Sequence, residues 1–376
     1  MADPTSSNNP LIAANQAGQS LWLDYIQRSM IDSGELAALI SNDHIAGLTS
    51  NPSIFEQAIA KTTEYDQTIK TLVEKDPARS DLEVFNELAI EDIQSAADAF
   101  AGVYSATNGV DGMVSLEVSP LLAHDTAGTV KSGLDLHQRV NRPNLMIKVP
   151  GTREGIDAFQ QLTEAGVNVN VTLLFSVSRY REIAQAFIRG LEARAASGQS
   201  VAGIASVASF FVSRVDTEVD KAVEALGTAD ATALQGKIAI ANAKVAYGYF
   251  ANVFGSEQFK ALEQQGAQAQ RLLWASTGTK NKAYSDVMYV EELLGPSTVN
   301  TLPPATMDAF RDHGKAEVRL TQGLAQASQE LNALADAGVS LNDITDALEQ
   351  AGVKSFADAF DRLLQSIAEK RKTLTS

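Results

Sequence analysis

The 376-residue chain contains no cysteine, which removes disulfides, thiolate nucleophiles and cysteine-held zinc from consideration. Histidine is scarce as well. His44, His124, His137 and His313 form no close-spaced pair, so neither a histidine metal centre nor a serine triad at a nucleophile elbow is supported. Positive charge is in deficit, with a formal net charge of −16. A nucleic-acid partner, which needs basic patches, is therefore not expected. No apolar run approaches the length of a membrane span. The opening MADPTSSNNP lacks the basic-then-apolar order of a secretory leader. The glycines of PGTREG follow neither a phosphate-loop nor a dinucleotide pattern, so no nucleotide cofactor is expected. These absences describe a soluble, cytoplasmic protein without metal or cofactor; a monomer and a homodimer are both compatible with them.

What is present is a regular alternation of short apolar runs and helical stretches, the pattern of a parallel α/β protein. The runs fall at 21–24, 45–50, 113–118, 145–149, 168–174, 207–212, 272–276 and 299–302. Eight is the number of strands in a (β/α)8 TIM barrel, and extra helices are expected to cover it. The whole of 1–376 reads as one such domain, with the first ten residues disordered and helices over 305–376. The segment 52–112 carries three helical patterns, and breaks are expected at Gly314, Gly338 and Gly352. Thr152 is placed as the N-cap of a helix closed by Gly166, and Ser176 or Ser178 opens another.

The most informative stretch is LMIKVPGT at 145–152. Alternation places Lys148 with Met146 on one face of a buried strand, and Leu145, Ile147 and Val149 on the other. A lysine there either snorkels out at the strand end, pairs with a carboxylate, or is held neutral as a nucleophile. Its company points to chemistry. Ser115 and Glu117 alternate with Val114, Leu116 and Val118, while Asn168, Asn170 and Thr172 alternate with Val169, Val171 and Leu173. Asp24, Thr49, Asn51, Ser209 and Ser276 fall at or just past the ends of their runs. In a barrel these polar sets converge inside the carboxyl ends of the strands, where barrel enzymes keep their chemistry. One lysine and two carboxylates suit amine catalysis: an iminium forms, and acid–base groups move the protons of imine formation and carbon–carbon cleavage.

The segments GLTSNPSIF (47–55), LMIKVPGT, NVNVTLLFSVSRY (168–180), SVASFFVSRVD (206–216), WASTGTKN (274–281) and YVEELLGPSTVNTLPPATMDAF resemble, in order, the motifs of transaldolases. The WASTGTKN form and the length are similar to the longer bacterial subfamily. The resemblance implies a Schiff-base enzyme moving a dihydroxyacetone unit between sugar phosphates. It implies Lys148 as the Schiff-base lysine and Asp24 as the acid/base at the C4 hydroxyl. Glu117 and Thr172 would position a water for proton transfer. Asn51, Asn170, Thr49 and Ser209 would meet donor hydroxyls and Arg214 the phosphate, while Ser276 matches a substrate-site serine at the end of the seventh strand.

The sequence departs from the shorter members at Gly278, where they carry a second phosphate-binding arginine. Lys280 is one replacement, although a solvated loop lysine is the alternative; Arg179 and Arg181 are others. Two rival functions remain at this level. One is a sugar-phosphate aldolase that releases free dihydroxyacetone, in which a tyrosine takes the proton-handling role that Glu117 would fill. The other is an inactive barrel serving as a binding module, against which the joint presence of Lys148, Asp24 and Glu117 speaks.

Overall fold

The computed structural model describes residues 9–374. Eight parallel strands close into a barrel in chain order: β1 Gln19–Asp24, β2 Gly47–Thr49, β3 Met113–Glu117, β4 Leu145–Pro150, β5 Val169–Leu174, β6 Ser206–Phe211, β7 Arg271–Ala275 and β8 Thr298–Leu302. Each apolar run of the sequence holds one strand. Closure is by pairing of β1 with β8, from Gln19 opposite Thr298 to Leu23 opposite Leu302. Because every strand is buried on both faces, near-continuous apolar runs are what such a sheet requires.

Alternation sorts the two faces as expected. Ile147 faces outward, within 3.4 Å of where a Cβ on Gly133 of helix Thr126–Val140 would stand. Its neighbour Lys148 therefore points into the barrel. Both expected helix starts are present. Thr152 accepts a hydrogen bond from the Gly155 backbone N–H at 3.0 Å, and Ser176 does so from Arg179 at 3.1 Å. Each satisfies one otherwise orphaned donor of a helix first turn.

Two expectations need correction. Of the ten N-terminal residues read as disordered, 1–8 lie outside the described residues, but Asn9 and Pro10 are ordered. Asn9 caps helix Pro10–Gln16 and donates to Asp43 at 2.9 Å. Gly352 does not interrupt a helix; Leu341–Leu374 runs through it unbroken. A Cβ at that position would stand 2.9 Å from a Leu173 methyl, so the glycine serves close approach of helix to barrel. Leu173 itself has φ of 62°, and the β5–β6 register shifts between Val171 and Leu174.

The 52–112 segment folds as three helices, Pro52–Ala60, Asp66–Lys75 and Asp81–Ala106. They hold the long C-terminal helix. Phe55 meets Phe85 edge-on at 5.5 Å, and Phe85 meets Phe360 at 5.5 Å. Arg362 pairs with Glu56 at 2.8 Å, and Lys370 with Asp66. The aromatic contacts supply most of the holding energy, because exposed ion pairs contribute at most about 1 kcal/mol. The same helix touches β5, the turn Pro120–Leu122 and helix Ser213–Leu226, and so lies over the carboxyl ends of the strands. No helix among the described residues is long and apolar enough to cross a membrane.

The glycine pattern after Lys148 has a steric cause. A Cβ on Gly155 would stand 1.9 Å from the Pro150 carbonyl oxygen, which seats helix Arg153–Glu164 directly on the end of β4. In an unconstrained helix, Gly→Ala would stabilise by roughly 1 kcal/mol. Here Gly155→Ala is expected to destabilise by about 1–3 kcal/mol through overpacking. Urea unfolding decides the sign: the midpoint should fall at unchanged slope.

Candidate active site

The barrel register assembles the site. Glu117 stands opposite Lys148 on β3–β4, and Lys148 opposite Asn170 on β4–β5, so three polar side chains enter the interior side by side. Lys148 Nζ lies 3.2 Å from Glu117 Oε2 and donates to the Ser50 carbonyl at 3.2 Å. Both side chains are about 5% exposed (6% and 4%). The lysine is therefore paired and enclosed, and it does not snorkel to solvent.

Two carboxyls share this space. Burial pushes Glu117 above the ordinary glutamate value, opposed by the Lys148 charge and reinforced by Asp24. Burial likewise raises Asp24; Lys148, the Thr49 hydroxyl and Arg214 pull it back. Asp24 accepts from Thr49 Oγ1 at 2.8 Å, and Thr49 in turn meets Thr301 Oγ1 at 2.7 Å. Asn170 is fixed on both sides: its Nδ2 donates to Ser115 at 3.1 Å and its Oδ1 accepts from Ser209 at 2.7 Å. Asn51 Oδ1 caps helix Pro52–Ala60 through the Ile54 N–H at 3.0 Å. Its amide nitrogen makes no hydrogen bond among the described residues, and Asn51 lines the cavity described below. Beyond the ion pair with Lys148, Glu117 Oε2 is buried without a hydrogen-bond partner among the described residues, and so is Thr172 Oγ1.

A cavity of about 200 Å³ opens above these groups, lined by Asp24, Thr49, Asn51, Lys148, Thr172, Ser209, Arg214, Ser276 and Lys280. Glu117 and Asn170 sit beneath this lining, against Lys148 and Ser209. All eleven residues singled out from the sequence thus fall in or directly under one space. Sequence reasoning missed Ser53, Phe211, Thr301, Pro303 and Phe356, which also line it. Thr301 had a signal, as a polar residue near the end of the eighth run. Phe356 had only Gly352 one helical turn earlier.

Cations at the rim differ in their commitments. Arg214 stacks on Phe211, its guanidinium carbon 5.1 Å from the ring centroid. Burial lowers its pKa from the ordinary arginine value, with Asp24 opposing. Lys280 is exposed on the loop after β7 and lines the same cavity. The other two cations considered as replacements for the arginine absent at Gly278 are placed elsewhere. Arg179 pairs with Glu349 at 3.1 Å and Glu182 at 2.8 Å. Arg181 lies over Tyr249 at 5.1 Å and lines a separate groove with Arg153 and Arg189. Of these three, only Lys280 borders the cavity. Ser276, in the left-handed region at φ 56°, meets the Ser213 hydroxyl at 3.0 Å and so ties β7 to the helix that presents Arg214.

That helix carries a buried acid two residues after Arg214. Asp216 accepts from the Ala239 N–H at 2.7 Å and from Tyr289 Oη at 2.9 Å. Burial pushes it up to about 6. A raised carboxyl binds its proton more tightly in the folded state. Its stabilising share is therefore full below pH ~4 and is lost as pH rises through about 6, roughly 3 kcal/mol in all. Unfolding free energies of wild type and Asp216→Asn, compared at pH 4 and pH 7, should diverge in that direction. Parallel pH dependence in the two proteins would refute it.

A profile of the transaldolase/fructose-6-phosphate aldolase family matches residues 21–367. A transaldolase of Saccharopolyspora erythraea is 47% identical over 366 residues, covering 97% of this chain and 98% of that protein. One from Trichodesmium erythraeum is 45% identical over 378 residues, covering 98% and 99%. Transaldolase 1 of Streptomyces coelicolor is 45% identical over 372 residues, covering 98% and 97%.

Proposed function

The chain belongs to the transaldolase/fructose-6-phosphate aldolase family and has transaldolase activity; from that premise we propose that Lys148 performs the reaction as a Schiff base. The unit moved is dihydroxyacetone, from sedoheptulose 7-phosphate to glyceraldehyde 3-phosphate, giving erythrose 4-phosphate and fructose 6-phosphate. The observation that carries this reading is the enclosed Lys148 amine at 3.2 Å from an enclosed carboxylate, inside the carboxyl end of the barrel.

Glu117 takes the ammonium proton, and the free amine adds to the donor carbonyl. Loss of water then gives the iminium. Glu117 Oε2 and Thr172 Oγ1 hold and pass a proton through a water, since neither is committed to a hydrogen bond elsewhere among the described residues. Asp24 takes the C4 hydroxyl proton as the C3–C4 bond breaks, and the bonding electrons run into the iminium. Its raised pKa, caused by burial, suits it to both take and return that proton. The amide hydrogens of Asn51 and Asn170 bind donor hydroxyls, with Thr49 and Ser209 orienting their neighbours. Arg214, which makes no ion pair among the described residues, offers its planar fork to the phosphate. Lys280 adds a second, exposed positive charge. The whole of 1–376 acts as one unit in this proposal, the C-terminal helices forming its cover.

Borohydride reduction in the presence of fructose 6-phosphate tests the reading. A reduced three-carbon adduct is expected at Lys148 and is expected to vanish in Lys148→Ala. Asp24→Ala should still trap, but with the intact six-carbon chain. Glu117→Ala should slow adduct formation itself, by roughly 10²–10⁴-fold. Labelling of Lys131 or Lys280 in place of Lys148 would overturn the assignment.

Phosphate recognition is separable by kinetics. Arg214→Ala should raise KM for fructose 6-phosphate about ten- to a hundredfold and leave the reaction of fructose unchanged. Lys280→Ala should act in the same direction by less than about tenfold, because an exposed charge is screened. Equal losses on both substrates would remove the phosphate role.

A further inference from the structure

We propose that Tyr284 is a positioning residue for phosphate recognition, holding Asp220 so that Lys280 stays available to the substrate. This rests on the reading of Lys280 as the second phosphate contact. Lys280 stands between two spaces. It lines the cavity above Lys148, and it also lines a separate cavity of about 250 Å³ together with Asp216, Asp220, Glu224 and Tyr284. Each carboxylate of that second space competes with a phosphate for the ammonium group. Lys280 nevertheless makes no ion pair among the described residues.

Neutral donors already occupy the two more enclosed acids. Asp216 accepts from the Ala239 N–H and from Tyr289 Oη. Asp220 is engaged at both oxygens: Oδ1 accepts from the Gly236 N–H at 2.9 Å, and Oδ2 from Tyr284 Oη at 2.7 Å. Glu224 is exposed, where water and salt screen its charge. Burial raises the Tyr284 hydroxyl above the ordinary tyrosine value, and the bond to Asp220 adds to this. It therefore remains a donor at neutral pH. Gly236 makes room for the ring, since a Cβ on this left-handed residue (φ 69°) would stand 2.9 Å from Tyr284 Cζ.

Tyr284 also anchors the loop that carries the lysine. Residues 279–285 close on themselves: Thr279 Oγ1 donates to the Ser285 carbonyl at 2.8 Å, and the Ala283 N–H to Asn281 Oδ1 at 2.9 Å. The Tyr284 hydroxyl ties this loop to Asp220 on helix Ser213–Leu226, the helix that presents Arg214. Both cations are thus referenced to one helix, Arg214 directly and Lys280 through Asp220. Without the hydroxyl, Asp220 Oδ2 loses its donor, and the ammonium of Lys280 is the cation that shares its cavity with the substrate site. Capture of Lys280 by Asp220 would withdraw one positive charge from the phosphate.

Steady-state kinetics with fructose 6-phosphate and with fructose test the role. Tyr284→Phe deletes one oxygen and should raise KM for fructose 6-phosphate about two- to fivefold, with kcat and the reaction of fructose constant. Combined with Lys280→Ala it should add nothing to the effect of Lys280→Ala alone, because it acts through that lysine. Combined with Asp220→Asn, which keeps an oxygen for Gly236 but has no charge to capture an ammonium, KM should return towards the wild-type value. A constant KM in Tyr284→Phe, an effect that multiplies with that of Lys280→Ala, an equal loss on fructose, or no recovery with Asp220→Asn would each overturn the role of Tyr284. Those results count against Tyr284 alone as long as Lys280→Ala itself raises KM. If Lys280→Ala leaves KM unchanged, the phosphate reading of Lys280 falls, and the role of Tyr284 with it.

Discussion

The pair formed by Lys148 and Glu117 is the constraint around which this molecule is arranged. Both groups are enclosed, and removing two such charges from water costs several kcal/mol per ion unless geometry and extra hydrogen bonds offset it. The offset comes from the parallel register that sets Glu117 opposite Lys148, and from the Ser50 carbonyl that accepts from Nζ. The barrel supplies this register at every level. Asn170 is held from β3 by Ser115 and from β6 by Ser209, while Asp24 is held from β2 by Thr49 and, through it, from β8 by Thr301. Asn170 and Asp24 are thus satisfied by neighbour strands, whereas Glu117 Oε2, beyond its ion pair, and Thr172 Oγ1 have no hydrogen-bond partner among the described residues. Those two atoms are where proton traffic is assigned.

The same enclosure creates a problem of access, because an anionic sugar phosphate must enter a chain of net charge −16. A local answer is built at the rim. The surface arginines are largely committed to carboxylates, as with Arg179 to Glu349 and Arg362 to Glu56. Arg214 is instead supported by the Phe211 ring, which orients the guanidinium without neutralising it. Stacking thus preserves a positive charge that an ion pair would have consumed. The Ser213–Ser276 contact ties this arginine's helix to the loop that carries Lys280.

Cover for the site is made from two distant parts of the chain. Residues 52–112 fold as helices that grip the C-terminal helix through Phe55, Phe85 and Phe360. That helix in turn lowers Phe356 onto Lys148. An insertion that looks like decoration from the barrel's point of view therefore positions one wall of the cavity. The glycine at 352 and the left-handed Leu173 beneath it mark a close approach of helix and barrel. Backbone conformations of that kind persist only where surrounding packing over-determines them.

The sequence by itself determined the barrel and most of its interior. Eight apolar runs separated by helical patterns define parallel strands, and the two-residue period of a strand decides which side chains face inward. Lys148, Glu117, Asn170 and Thr172 were legible for that reason, and Asp24, Thr49 and Ser209 because strand ends in a barrel share one mouth. Helix starts at Thr152 and Ser176 were legible because capping is local chemistry. Contacts across long separations were not legible. That Arg179 belongs to Glu349, that Gly352 serves close packing, and that Phe356 reaches Lys148 depend on how the C-terminal helix is laid across the strands. A helix carries a period of its own but no record of the surface it will meet. Only the packed tertiary structure decides that, through the shape of the groove left between the barrel mouth and the helices of 52–112.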